Sequence, residues 1–148
     1  MSENCNYYRT INKKTFNKGD YFMKKREIKT DKSPAAIGPY SQAIKLDNLV
    51  LTSGQIPFTP EGQLVSNDVQ EQARQSLENV KGVLEEAGTD LDKVIKCTVF
   101  ISNMDDFPKI NEIYKEFFEE PYPARSCVEV SRLPKDVKLE IEAIAYTE

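Results

Sequence analysis

The residues with the clearest chemical potential lie near the end of the chain, where Arg125, Cys127, Glu140 and Glu142 carry a guanidinium, a thiol and two carboxylates. A guanidinium is a planar fork that binds a carboxylate through two parallel hydrogen bonds. A carboxylate nearby can orient a water molecule and accept its proton. Together these groups could bind a small organic acid and direct water onto it. The competing interpretation is a solvated surface where arginine and glutamate form an ordinary ion pair.

Alternating polar and apolar side chains predict that these residues lie on two strands, one at 125–130 and one at 137–145. The intervening residues 133–136 have turn chemistry. We therefore expect a β-hairpin whose antiparallel pairing brings like faces together. The side chains expected on its polar face are Arg125, Cys127, Glu140 and Glu142.

Composition limits the function classes that the chain can serve. The 148 residues, 39% of them hydrophobic, are enough for one compact domain. A net charge of −4 counts against non-specific nucleic-acid binding. Histidine is absent, which excludes Ser-His and Cys-His nucleophiles and imidazole metal ligation. We expect no metal site and, because no apolar run approaches membrane-spanning length, no membrane association.

The three cysteines, Cys5, Cys97 and Cys127, are an odd number without a Cys-x-x-Cys pair. No secretory signal precedes them. This usage is typical of a reducing compartment and predicts a cytoplasmic location. We assign Cys97 to the core.

Residues 1–22 lack the periodicity of the rest and precede a second methionine, Met23. We expect an N-terminal extension at 1–22, either a disordered tail or a mis-assigned start, and a single domain at 23–148. Its basic residues leave an organelle-targeting peptide open. Glu3 and Asp20 fit that alternative poorly, because targeting peptides are poor in acidic residues.

Periodicity along the domain predicts the order β-ββ-α-β-α-ββ, an α+β fold with a six-stranded mixed sheet and two helices on one face. The expected strands before the hairpin are 25–30, 42–46, 49–53 and 94–101, and the expected helices are 68–87 and 105–118. We expect Asn67 to cap the first helix and Gly88 to end it.

Two helices can cover only one face of this sheet. The residues expected on the other face are Lys96, Thr98, Phe100, Arg125, Cys127, Ile144 and Tyr146. This face is too apolar to stay in water, so we expect neighbouring sheets to cover each other in a symmetric oligomer.

Several spaced motifs closely resemble those of the RidA (YjgF) family of reactive-intermediate deaminases. They are RSCVEV at 125–130, LPKD at 133–136, EIEA at 140–143, GPYSQ at 38–42 and TSGQIP at 52–57. The resemblance implies a chorismate-mutase-like fold and a homotrimer with its sites in clefts between subunits.

The same resemblance implies hydrolysis of enamine and imine intermediates, 2-aminoacrylate with its tautomer 2-iminopropanoate, and 2-iminobutanoate, to 2-oxo acids and ammonia without a cofactor. It places Arg125 on the substrate carboxylate and Glu140 among the residues that line the cleft. Because Glu140 is expected beside Arg125, we predict that it orients the attacking water and takes its proton. The further residues expected to line the cleft are Tyr40, Ser53, Gly54, Asn111 and Cys127.

Several of these residues have a structural alternative. Glu140 could only pair with Arg125, Tyr40 could pack in the core, and Asn111 could be an exposed helix residue. We expect Cys127 to line the pocket rather than to attack as a nucleophile, because no histidine is present to activate its thiol.

Two other functions stay open at this point. Family members have been described as translation inhibitors or ribonucleases, so an RNA-acting protein is one alternative. The other is a non-catalytic module that binds small 2-oxo acids in the same pocket.

Overall fold

The computed structural model describes residues 24–148, in which a six-stranded sheet packs against two helices. The strands are β1 Lys25–Ile28, β2 Ala43–Leu46, β3 Leu49–Thr52, β4 Val94–Ile101, β5 Ala124–Glu129 and β6 Leu139–Tyr146. The helices are α1 Val69–Glu86 and α2 Phe107–Phe117. The predicted extension at 1–22 lies outside the described residues. No helix in the described part has the length and hydrophobicity needed to cross a bilayer.

The sheet is mixed, as predicted, with the spatial order β1-β2-β3-β6-β4-β5. Four of its five strand pairs are antiparallel, and β4 and β5 are parallel. Both helices pack on one face of the sheet, and they contact each other. This confirms the predicted α+β architecture.

The predicted β-hairpin is wrong, because β4 lies between β5 and β6. Arg125 of β5 pairs with Cys97 of β4, whereas Glu140 of β6 pairs with Phe100. The connection through α2 is long enough to return the chain parallel to β4, which a short turn cannot do. Period-two alternation identifies a strand but does not identify its partner, and the turn residues between β5 and β6 suggested the wrong one.

Helix α1 forms through one apolar stripe that faces the sheet. The residues of this stripe, which recur every three or four positions, are all buried: Val69, Ala73, Leu77, Val80, Leu84 and Ala87. The helix starts one residue later than predicted, since the carboxylate of Asp68, not the side chain of Asn67, accepts hydrogen bonds from the backbone N–H groups of Gln70 and Glu71 at 2.9 and 3.0 Å. Gly88, with φ of +84°, ends it as predicted.

Helix α2 begins at Phe107 because Met104–Asp106 forms a 3-10 turn before it. Pro108 occupies its first turn, where no N–H is needed. Ile110 and Tyr114 anchor the helix in the core, which also contains Cys97, as expected. This helix therefore holds a fixed position over β4 and β5.

The other face of the sheet has no helix over it. Several large apolar side chains are exposed there: Leu49 (39%), Leu51 (44%), Val128 (43%) and Tyr146 (37%). Exposed apolar side chains grouped on one face are typical of an interaction surface. It is a candidate for contact with another subunit.

The observed cap of α1 gives a stability test. We expect Asp68→Ala to lower the free energy of unfolding by about 1 kcal/mol, because two helix N–H groups lose their acceptor. Asn67→Ala is the matched control, an exposed neighbour that we expect to stay within about 0.5 kcal/mol of the parent. Urea unfolding followed by circular dichroism, at one protein concentration, measures both. Equal losses in the two variants would contradict this assignment.

Candidate functional site

Arg125 and Cys127 lie on the helix-covered side of the sheet. They pair with Cys97 and Val99, which are fully buried in the core, and directly paired residues share a face. The prediction that Arg125 and Cys127 face the open side is therefore wrong. Because β5 is an edge strand, its helix-facing side chains are only half-buried, and polar groups there can reach solvent.

The guanidinium of Arg125 is held by one helix. Its Nη1 donates a 2.7 Å hydrogen bond to Oδ1 of Asn111. Its Cζ lies 5.2 Å from the ring centroid of Phe107 and 4.6 Å from that of Tyr114. Within residues 24–148 no carboxylate lies within salt-bridge distance of Arg125. The guanidinium has five N–H groups, so most of its donors remain for a ligand.

A pocket of about 250 Å³ opens beside this guanidinium. Its lining residues are Asn111, Tyr114, Lys115, Tyr122, Pro123 and Arg125. The lining contains two cations and no carboxylate, so it favours an anion. The alternative that Asn111 is merely an exposed helix residue is wrong, since this residue is half-buried and bonded to Arg125.

Cys127 lies two residues beyond Arg125 on the same side of β5. Burial raises the pKa of its thiol, and the charge of Arg125 only partly opposes that shift. A thiol with a raised pKa has little thiolate at neutral pH and is a weak nucleophile. The raised pKa counts against a nucleophilic Cys127, as expected. This residue is not among those that line the pocket beside Arg125, so its role as a wall of the cleft stays a prediction.

Glu140 lies on the opposite face of the sheet. It pairs with Phe100, three residues from Cys97 along β4, and odd spacings alternate sides in a strand. Within one chain Arg125 and Glu140 therefore cannot form the expected cross-strand pair. Burial, reinforced by the charge of Glu142, raises the pKa of the Glu140 carboxyl above its ordinary 4.5.

Gly54 and Ser53 adjoin Glu140. A Cβ added to Gly54 would overlap the Glu140 carboxylate, so the close backbone approach expected at this glycine is present. The hydroxyl of Ser53 donates a 2.6 Å hydrogen bond to the carbonyl of Ser41. This contact ties the end of β3 to the loop that carries Tyr40.

Tyr40 is 51% exposed, so the alternative of a core-packing tyrosine is wrong. Its hydroxyl accepts a 3.3 Å hydrogen bond from the backbone N–H of Ile37. Tyr40 and Gly54 line a second pocket, of about 360 Å³, with apolar neighbours that include Ile37 and Phe58. A small apolar group would fit against this wall.

The expected site residues thus form two clusters. The arginine cluster consists of Arg125, Asn111 and Cys127, and the glutamate cluster consists of Tyr40, Ser53, Gly54 and Glu140. The sheet separates Arg125 from Glu140, so one chain does not bring the two together. In the described part of the chain no group of three or more Cys, Asp or Glu side chains is arranged to hold a metal ion.

Phe107 and Tyr114 are not among the site residues predicted from the sequence. The available signal was Asn111, which lies four residues after one ring and three before the other. An amide on the stripe that faces a strand indicates a polar partner on that strand.

Comparison with known proteins gives a consistent result. The family model described as Endoribonuclease L-PSP matches residues 30–147. The putative reactive intermediate deaminase TdcF of Escherichia coli K12 is 56% identical over 124 residues, covering 82% of this chain and 96% of that protein. The 2-iminobutanoate/2-iminopropanoate deaminase of Salmonella typhimurium is 54% identical over 123 residues, covering 81% and 96%.

Solved structures agree with the fold. The crystal structure of E. coli TdcF with bound serine has a TM-score of 0.79 at 55% identity, covering 83% of this chain and 99% of that one. The crystal structure of yeast Mmf1 has a TM-score of 0.82 at 41% identity, covering 84% and 100%. The family match includes strands β2 to β6 and both helices. The chain therefore belongs to the Endoribonuclease L-PSP family, the RidA/YjgF family that its motifs resemble.

Proposed function

We propose that this protein hydrolyses 2-aminoacrylate and 2-imino acids, such as 2-iminopropanoate and 2-iminobutanoate, to 2-oxo acids and ammonia. The observation that carries this function is the Arg125 guanidinium, held beside a small pocket without a carboxylate partner in the described chain. The relative named 2-iminobutanoate/2-iminopropanoate deaminase supports the reaction class. Cys97 and Cys127 are free thiols, which suits a reducing compartment such as the cytoplasm.

The carboxylate of the substrate binds to Arg125 in this proposal. With Nη1 engaged by Asn111, the remaining N–H groups present a two-donor edge to the carboxylate. An ammonium would hold the same anion as a point charge, without fixing its plane. The relative TdcF has been crystallised with serine, another three-carbon acid.

The complete site forms between subunits of a homotrimer. Arg125 and Glu140 lie on opposite sides of one sheet, so a second copy must supply the missing half. The open sheet face with Leu51, Val128 and Tyr146 gives the apolar surface that such an assembly buries. The arginine cluster of one subunit then meets the glutamate cluster of its neighbour.

Water attacks the imine carbon in this site. Glu140 of one subunit orients the water and takes its proton while the carboxylate of the substrate stays on Arg125 of the other. A C–O bond forms at C2, and the nitrogen gains a proton to give a carbinolamine. The hydroxyl of the carbinolamine then gives its proton to the nitrogen, a C=O bond forms as the C–N bond breaks, and ammonia leaves the 2-oxo acid behind. Because such imines hydrolyse unaided, positioning alone gives a useful but modest acceleration.

The environment of Glu140 suits the role of a base. Its pKa is raised and so lies closer to neutral pH than that of an ordinary glutamate. A carboxylate with a higher pKa accepts a proton more readily. The alternative of a purely structural partner for Arg125 has no support within one chain, since the two side chains occupy opposite faces. The net charge of −4 and the absence of histidine continue to count against an RNA-acting protein.

The role of Arg125 is tested by coupling the protein to a threonine dehydratase and recording 2-oxobutyrate formation while intermediate decay limits the rate. We expect the parent to accelerate this step and Arg125→Ala to lower the catalysed rate about 10- to 100-fold. This factor corresponds to the free energy of charge-assisted hydrogen bonds. Arg125→Lys should recover part of the loss. Arg74→Ala is the control, because Arg74 pairs with Glu116 on the exposed helix surface and should leave the rate unchanged.

Other outcomes would reassign the function. If the parent binds 2-oxobutyrate in isothermal titration but adds nothing to the buffer rate, the non-catalytic binding module is correct. Cleavage of RNA with a steep salt dependence would instead support the RNA-acting alternative, since phosphate contacts weaken strongly with salt.

The pH profile tests Glu140. After subtraction of the buffer rate at each pH, we expect the enzymatic rate to fall as pH drops through a midpoint above 4.5, because the protonated carboxyl cannot act as a base. Glu142→Gln removes the neighbouring charge, so the midpoint should move to lower pH. Glu86→Gln, on exposed α1 surface, should leave it unchanged. A profile that Glu142→Gln does not shift would contradict this coupling.

Gly54→Ala tests the position of the same carboxylate. The added methyl displaces the Glu140 side chain, so we expect the rate to fall about tenfold or more while the affinity for 2-oxobutyrate stays close to that of the parent. In a Glu140→Gln background the same substitution should lower the rate little further, because the carboxylate that it displaces is already absent. Additive losses would show that Gly54→Ala acts by another route.

A further inference from the structure

One face of helix α2 gathers three different contacts to Arg125. Phe107, Asn111 and Tyr114 are separated by four and three residues, the spacing that aligns side chains along one helix face. Each of them contacts the guanidinium. The three residues form what we call the guanidinium cradle. Only Asn111 was expected at the site.

The two kinds of contact fix different degrees of freedom. The rings of Phe107 and Tyr114 lie 5.2 and 4.6 Å from Cζ, within the range in which a cation is attracted to an aromatic face. Such contacts restrict where the planar group can lie. The 2.7 Å hydrogen bond to Asn111 selects Nη1 and so orients the remaining donors. A long, flexible side chain is thereby held in one arrangement before a ligand arrives.

The ring of Tyr114 is itself held firmly. Tyr114 is only 5% exposed, and its centroid lies 4.5 Å from that of Phe118. Its buried hydroxyl makes no hydrogen bond of ordinary geometry within residues 24–148. Burial, reinforced by the nearby Cys97 thiol, raises the pKa of this hydroxyl. An unpaired buried hydroxyl costs stability. The aromatic face, rather than the hydroxyl, is therefore what this position offers to Arg125.

We propose that Phe107 and Tyr114 are positioning residues, whose aromatic faces preorganise the Arg125 guanidinium for the carboxylate of the substrate. The inference rests on the proposed function for the identity of that ligand. Without the rings, ligand binding must also immobilise the arginine side chain. Ordering one such side chain corresponds to about a 2- to 10-fold loss in affinity.

Fluorination separates the electrostatic role of a ring from its packing, because it weakens the negative ring face while changing the shape little. The baseline is Tyr114→Phe, which we expect to bind 2-oxobutyrate as the parent does. Incorporating 4-fluoro- and then 3,4,5-trifluorophenylalanine at position 114 should raise the Kd stepwise, reaching about 2- to 10-fold. Isothermal titration calorimetry measures each Kd, and the same series at position 107 gives an independent test.

Phe118 supplies the matched control. It is 4% exposed and packs against Tyr114, so the same fluorinated residues there make an equal chemical change in the same part of the core. We expect no change in Kd from this series. If fluorination at 118 weakened binding as much as at 114, the effect would come from packing and the proposal would be wrong.

A ligand-free measurement completes the test. In the parent, ring currents should shift the Arg125 Nε–H signal away from its ordinary position in a ¹⁵N-edited NMR spectrum, and Phe107→Leu should move it back. A parent that fails to bind 2-oxobutyrate but shows this shift would overturn the proposed function and leave the cradle standing. A parent that binds normally, with fluorination-independent affinity and no Arg125 shift, would overturn the cradle alone.

Discussion

The parallel pairing of β5 with β4 is the constraint on which the site depends. It places Arg125 opposite Cys97 and so aims the guanidinium at the helix-covered side. Helix α2, which connects the two strands, lies where Phe107, Asn111 and Tyr114 can reach that guanidinium. The chain segment that makes the crossover also supplies the cradle. Fold and site are therefore built by one βαβ unit, and neither can shift without the other.

The same pairing makes a single chain incomplete. In β6, Glu140 faces away from the helices, toward the side where apolar residues such as Leu51 and Tyr146 are exposed. In the proposed function, Glu140 directs water and Arg125 binds the carboxylate of the substrate. Two groups on opposite sides of one sheet cannot act together on one small molecule. The proposed homotrimer would resolve two problems at once, because it would cover the apolar face and bring the two unlike clusters together. In that proposal oligomerisation is a catalytic requirement as well as a stabilising one.

Local patterns predicted most of the elements, because amphipathic periodicity reports burial. The stripe on α1, the apolar face of β4 and the turn chemistry around Gly88 all follow from nearest neighbours in sequence. Strand partners follow from long-range packing, so the 133–136 turn suggested a hairpin that does not exist. Alternation in β6 correctly put Glu140 on the side away from the core, whereas the assumed hairpin put Arg125 on that side wrongly. A two-residue period is unchanged when the covered and open faces are exchanged.

Local rules of stability are broken where the two clusters lie. Arg125 has no carboxylate partner in the described chain, Glu140 lies near the like charge of Glu142, and the Tyr114 hydroxyl is buried without an ordinary hydrogen bond. A sequence selected for folding alone would pair or remove these groups. Arg125 and Glu140 keep a charge available to something outside the chain, whereas the buried ring of Tyr114 offers its face to Arg125. The guanidinium cradle explains how Arg125 remains ordered without an ion pair, because its rings restrain the guanidinium and leave most of its donors free. A carboxylate partner would instead occupy the donors that the proposed substrate needs.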